Sequence, residues 1–181
     1  YSDGWTSTRD GGAGHRWVPD SDSISPFWSI GEDKRGNSGD GDDTSLESGT
    51  FDLSKATSAK LVINHRFFFH YAAGTFSNTY YDGGRAEIST NSGTTWKALS
   101  PSEGELYAGS IYTSTYYGNP LRGQQAFAGE STGYPGLVET QFDLSDYTGD
   151  GFDEVMVRLH MGGSMLLNPS VWDVTKVAVY A

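Results

Sequence analysis

The chain has 181 residues, a formal net charge of −11, no cysteine, and 24 glycines, 11 tyrosines, 9 phenylalanines and 5 tryptophans. So acidic a surface repels nucleic acid and anionic membranes, and no apolar run reaches membrane-spanning length. Glycine and aromatics outweigh the strong helix formers, which predicts strands and turns built around one sizeable core.

The polar opening Tyr1-Ser2-Asp3 shows no signal peptide, and the chain reads as a segment of a larger polypeptide. Residues 1–49 form a loop-rich zone dense in Gly, Ser and Asp. Its tryptophans, Trp5, Trp17 and Trp28, predict a segment packed on the domain rather than a loose tail. The run 59–71 then alternates Leu61, Ile63, His65 and Phe67 against Val62, Asn64, Arg66 and Phe68. That period of two, with one polar face, predicts an antiparallel strand. The run 84–90 alternates in the same way and leads into "STNSGTTW" (89–96), which has the Asp-box pattern of a tight hairpin. There Asn91 can bond the turn backbone, Gly93 supplies a positive φ, and Trp96 is expected to be substantially buried on the second strand. A second loop-rich zone spans 100–136. Strands are predicted again at 154–161 (Val155, Val157 and Leu159 on one face; Met156, Arg158 and His160 on the other) and at 172–180.

"GTFDLSKATSAKLVINHRF" and "TQFDLSDYTGDGFDEVMVRLH" share FDLS, a polar link and a long alternating run. Two readings fit: a duplicated binding unit, or two crossovers entering equivalent strands of two facing sheets. The second suits the predicted fold, an all-β, antiparallel, jelly-roll-like two-sheet sandwich of at least eight strands and under about a tenth helix.

The order "DDTSLESGTFDLS", "LVINHRFFFHY", "YYDGGRAEISTNSGTTWKAL", "NPLRGQQAFAGES", "FDLSDYTGDGFDEVMVRLHMG", "VWDVTKVAVY" carries a family resemblance over about residues 40–181. It resembles the MAM-like jelly-roll accessory domains of secreted bacterial metallopeptidases of the immune-inhibitor-A type, and related adhesin and hydrolase modules. The resemblance implies a single two-sheet sandwich over residues 1–181, a secreted, extracellular setting, and structural calcium. Its acidic positions fall on Asp42, Asp43, Asp82, Glu87 and Asp173. The chain departs from the family at the last strand, "SVWDVTKV", which carries one aspartate where the family has a pair.

Signals for catalysis are few, although a glycosidase that uses two carboxylates set by the fold stays open. One Asp-box in 181 residues cannot make a propeller of about six four-stranded blades. His15, His65, His70 and His160 do not form H-E-x-x-H, and Gly129-Glu130-Ser131-Thr132-Gly133, which has the G-x-S-x-G spacing, lies inside the loop-rich zone 100–136 rather than between a predicted strand and a helix. Calcium has more support, since "GEDKRGNSGDGDD" (31–43) and "DYTGDGFDE" (146–154) gather aspartates around glycines, as hard cations require; the alternative is solvated acidic turns. For a ligand, the loop aromatics Tyr112, Tyr116 and Tyr117, with Phe27 and Trp28, are the candidates, the alternative being rings that fill the rim of the core. The expected role is a non-catalytic module that binds a glycan or a protein or peptide surface beside other domains of its parent chain. A purely structural accessory domain and the tip of a calcium-dependent adhesin are the other readings.

Overall fold

In the computed structural model, which describes residues 4–9, 17–20, 27–31, 42–165 and 170–181, the alternating runs become strands of two antiparallel sheets. Along the chain these are β1 (Thr6–Arg9), β2 (Val18–Asp20), β3 (Phe27–Gly31), β4 (Asp43–Glu47), β5 (Lys60–Phe68), β6 (Tyr71–Ala72), β7 (Thr79–Tyr80), β8 (Gly83–Ser89), β9 (Lys97–Ala98), β10 (Gly109–Ser110), β11 (Gln125–Ala126), β12 (Val138–Asp143), β13 (Met156–Gly162) and β14 (Val171–Tyr180). No α-helix occurs among the described residues; two short 3-10 turns lie at Thr115–Tyr117 and Ser145–Tyr147. No helix is long and apolar enough to cross a membrane among those residues.

One sheet has the order β1-β4-β13-β8-β9 and the other β12-β5-β14-β3-β2. The successive long strands β4, β5, β8, β12, β13 and β14 fall alternately in the first and second sheet. Each connection therefore crosses from one layer to the other, the jelly-roll-like arrangement that the alternation predicts.

The core lies between the layers. β5 sends in Leu61, Ile63, His65 and Phe67, and β13 answers with Val157, Leu159 and Met161, all buried. Each large apolar side chain removed from water contributes about 1.5–3 kcal/mol, so these two strands alone supply a large share of the driving force. Both FDLS segments enter interior strands of opposite sheets, β5 and β13. In both, the aspartate accepts from the backbone N–H two residues on, Ser54 to Asp52 at 3.0 Å and Ser145 to Asp143 at 2.9 Å. The following leucines, Leu53 and Leu144, are buried. The echo is thus one turn used twice.

β14 departs from simple alternation. A bulge between Val174 and Lys176 shifts its register on β5, so the inward residues change from Trp172 and Val174 to Val177 and Val179. An extra residue switches the parity of every side chain beyond it, which the even spacing of the sequence conceals. Gly84 meets the same strand across the sandwich. A Cβ there would lie 2.2 Å from the Trp172 ring, so only glycine lets the two layers close over that indole. Trp17, from the N-terminal zone, packs on Trp172 with ring centroids 5.2 Å apart.

Candidate functional site

At one end of the sandwich, next to β7, the 112–117 loop carries the predicted tyrosines. Tyr112 N–H donates to the Tyr80 carbonyl at 2.8 Å, fastening the loop to β7. The following 3-10 turn is capped at both ends: Ser114 Oγ accepts from Tyr116 N–H, and Gly118, at φ 67°, closes onto the Thr115 carbonyl. The last residue of the turn is also tied, its Tyr117 carbonyl accepting from Met165 N–H at 2.9 Å. Asn119, 2% exposed, anchors the base of the loop. Its amide donates to the carbonyls of Tyr81 (2.7 Å) and Gly162 (2.9 Å), and its oxygen accepts from Leu121 N–H at 2.7 Å. A buried amide satisfied this fully holds one conformation.

The rings on this scaffold form a chain. Tyr81 is the hub, stacked on His70 at 4.9 Å and meeting Tyr117 at 5.1 Å and Tyr112 at 5.8 Å. Tyr116 stands at 88° to Tyr117, 5.2 Å away. Tyr116 is 76% exposed and Tyr112 43%, whereas Tyr117 and Tyr81 are half-buried. The cluster thus has a packed inner row and an open outer row. Asp82 lies behind it, its carboxylate accepting from Ser164 N–H (2.6 Å) and Ser170 Oγ–H (2.7 Å), while Ser170 Oγ accepts from His70 N–H (3.0 Å). Burial pushes the Asp82 carboxyl up, against the pull of those hydrogen bonds.

Trp28 does not join the tyrosines. It sits on β3 opposite Val174, half-buried and packed against the main core, with no ring contact to them among the described residues. The hub residues Tyr81 and His70 are absent from the sequence expectation. The adjacent pair Tyr80-Tyr81 was the available signal, since neighbours on an extended strand point to opposite sides.

The five acidic positions are not brought to one point. Asp173 lies in the second sheet, bound by Ser29 Oγ (2.7 Å) and Arg66 Nε (2.8 Å). Asp82 belongs to the serine pair just described. Glu87, on the outer face of the first sheet and 1% exposed, is held by Arg85 and by Arg158 Nε at 2.5 Å. Asp43 accepts from His160 Nε2 at 2.8 Å, and His160 Nδ1 lies 3.4 Å from Glu87. Asp42 uses its carbonyl to accept from Gly163 N–H at 2.8 Å. Burial disfavours the Glu87 charge, but His160, Arg158 and Arg85 outweigh it and hold the carboxyl down at about 2. Burial likewise opposes charge on His160, yet the bond to Asp43 and the nearby Glu87 carboxylate prevail and its pKa is raised. Arginines hold Glu87 and Asp173, serines hold Asp82 and His160 holds Asp43, so these separately partnered side chains do not fit a shared calcium site. The acidic stretch 32–41, His15 and the Phe27 side chain lie outside the described residues.

The Asp-box forms the expected turn. Asn91 Oδ1 accepts from Thr95 N–H at 2.9 Å, and Ser92 and Gly93 adopt φ 52° and 81°. Trp96 is covered, but not by the core. It is half-buried under the Arg158 guanidinium, 4.5 Å from ring centre to Cζ, on the charged face of the sheet.

No protein-family model matches the chain, and no curated protein matches it. The MAM-like resemblance therefore rests on its motifs alone. Among solved structures, the chain is similar to TmCBM61 in complex with beta-1,4-galactotriose at 7% identity and TM-score 0.46, over 97% of this chain and 87% of that one. It is similar to a CBM4 structure at 11% identity and TM-score 0.46, over 99% and 95%. A third likeness, at 12% identity and TM-score 0.46 over 98% and 90%, is to the K1 cleaved adhesin domain of Lys-gingipain (Kgp) from Porphyromonas gingivalis W83. At these identities and scores the likenesses say nothing about ligand or activity.

Proposed function

We propose that this chain is a non-catalytic extracellular binding module, and that its ligand, a glycan or a protein surface, docks on the outer row of the tyrosine cluster. One observation carries this reading: Tyr116 is 76% exposed while the turn that bears it is capped at both ends. An ordered aromatic ring left in water offers a flat apolar face with a polar hydroxyl at its rim, suited to a sugar ring or a peptide side chain. The motif resemblance adds a place within a larger secreted protein of the MAM-like kind.

Glycan and peptide arrays, probed with the wild type and with Tyr116→Ala, test the proposal. The expected outcome is selective binding that Tyr116→Ala weakens by about 1–3 kcal/mol at unchanged melting temperature. Silence of the wild type on every array would favour a purely structural accessory domain. Calcium enters the proposal on the sequence alone, through the acidic excess and the Asp-Gly turns, because among the described residues no group of three carboxylate, imidazole or thiol side chains could hold an ion. Calcium held by the folded state alone at a hundredfold excess over its Kd would add about 2.7 kcal/mol. Thermal unfolding in millimolar calcium against chelator checks this, and coincident curves would remove calcium from the proposal.

A further inference from the structure

We infer that the cleft between the 73–78 loop and β10 is a second binding site, one that takes a neutral saccharide. It is separate from the tyrosine cluster, although a single strand divides them. Tyr81 turns its ring to His70, Tyr112 and Tyr117, whereas Tyr80, the preceding residue, turns to Tyr71 (6.2 Å) and into this cleft. The inference does not depend on the tyrosine cluster being a site.

Three features of the lining point to the ligand. The first is Phe76, which is fully exposed at the loop tip and borders the cleft. A phenylalanine wholly in water has no packing role to account for it, and its ring and that of Tyr80 present apolar faces to whatever enters. The second is the polar complement: Thr75, Ser77 and Asn78, groups that both donate and accept, with no charged side chain anywhere in the lining. Sugar hydroxyls also donate and accept, so neutral two-way partners match them, while a charged ligand would find no counter-ion. On a chain of net charge −11, an anionic glycan would in addition be repelled.

The third feature is space kept open. A Cβ at Gly109 would come within 3.1 Å of the Tyr80 ring, so the missing side chain leaves that ring accessible from the β10 side. Across the cleft, a Cβ at Gly74 would lie 2.2 Å from the Ser77 carbonyl. The loop is thus folded tightly on itself around Phe76.

The test is an amide NMR titration of the 15N-labelled chain with cellohexaose, mannohexaose and xylohexaose, each to about 10 mM, with an oligogalacturonate of equal length as the anionic control. At least one neutral oligosaccharide is expected to shift the amides of residues 75–78 and 109–110. Phe76→Ala should weaken that binding about tenfold or more at unchanged melting temperature, since the ring it removes is exposed. Gly109→Val should abolish it by filling the cleft, and Tyr116→Ala should leave these shifts in place. The inference is overturned if none of the three neutral sugars shifts the cleft amides, if shifts occur only at residues 112–117, if the anionic control binds equally well, or if Phe76→Ala binds like the wild type.

Discussion

Trp172 Nε1 donates a hydrogen bond to His65 Nδ1 at 3.1 Å in the middle of the sandwich, where both residues have 0% exposure. An indole N–H can only donate, so His65 Nδ1 must accept, and Nε2 carries the proton that goes to Thr140 Oγ1 at 2.9 Å. Both ring nitrogens are used by the neutral imidazole.

Protonating His65 would break the bond from Trp172 and bury a charge, and burial accordingly lowers its pKa from 6.5 to about 3. A depressed histidine contributes stability that is present above the unfolded value and lost as pH falls below it. The loss therefore runs from about pH 6.5 down to about 3, at up to about 1.4 kcal/mol per pH unit. Glu87, lowered from 4.5 to about 2, loses its contribution only below 4.5. His160 is raised, so its contribution is fully present below 6.5 and is lost as pH rises through its folded value. From 6.5 to 4.5 the His65 effect is opposed by Asp82, whose raised carboxyl favours the folded state as pH falls, so comparison with a His65 variant isolates the imidazole. Across that interval the wild type should lose more of its urea midpoint on acidification than His65→Gln, which is less stable overall. Equal slopes in the wild type and His65→Gln would contradict the buried neutral imidazole.

Gly84→Ala should destabilise strongly, because the new methyl would stand 2.2 Å from the Trp172 ring. Overpacking of this kind costs about 1–3 kcal/mol or more. Pairing it with Trp172→Phe, which withdraws the larger ring, should recover part of the loss, and a double-mutant cycle by chemical denaturation measures that coupling. Strict additivity would mean the two layers do not meet there.

Glu87→Gln should also be costly, since it leaves Arg85, Arg158 and His160 facing a buried amide. Removing one partner of a buried charge network costs about 3–5 kcal/mol. A change under about 0.5 kcal/mol, the range of ordinary surface substitutions, would show that solvent screens the group despite its 1% exposure.

In the Asp-box turn, Asn91→Ala removes the acceptor for Thr95 N–H and should cost about 0.5–2 kcal/mol, while Gly93→Ala, forced to hold φ 81°, should cost about 1 kcal/mol. Thermal unfolding of both variants checks the turn. Trp96→Ala should be milder than a core tryptophan deletion, because Trp96 lies under Arg158 rather than between the sheets.

The strands β5, β8 and β13 and the Asp-box turn were legible in the chain itself, because side-chain period, glycine position and Asn-to-backbone bonding act over a few residues. The antiparallel class followed from the same signals. What the carboxylates do was not legible. Glu87 faces Arg158 across the pairing of β8 with β13, and Asp173 faces Arg66 across the pairing of β14 with β5, so register alone placed arginines where a metal had been expected. The bulge after Val174 is of the same kind, since an inserted residue shows only against its partner strand. The tyrosines at 112–117 could be named from the sequence. That Tyr81 and His70 would support them, that Trp28 would lie elsewhere, and that Phe76 would stand free beside Gly109 were decided by long-range packing, in which residues far apart in the chain compete for the same space.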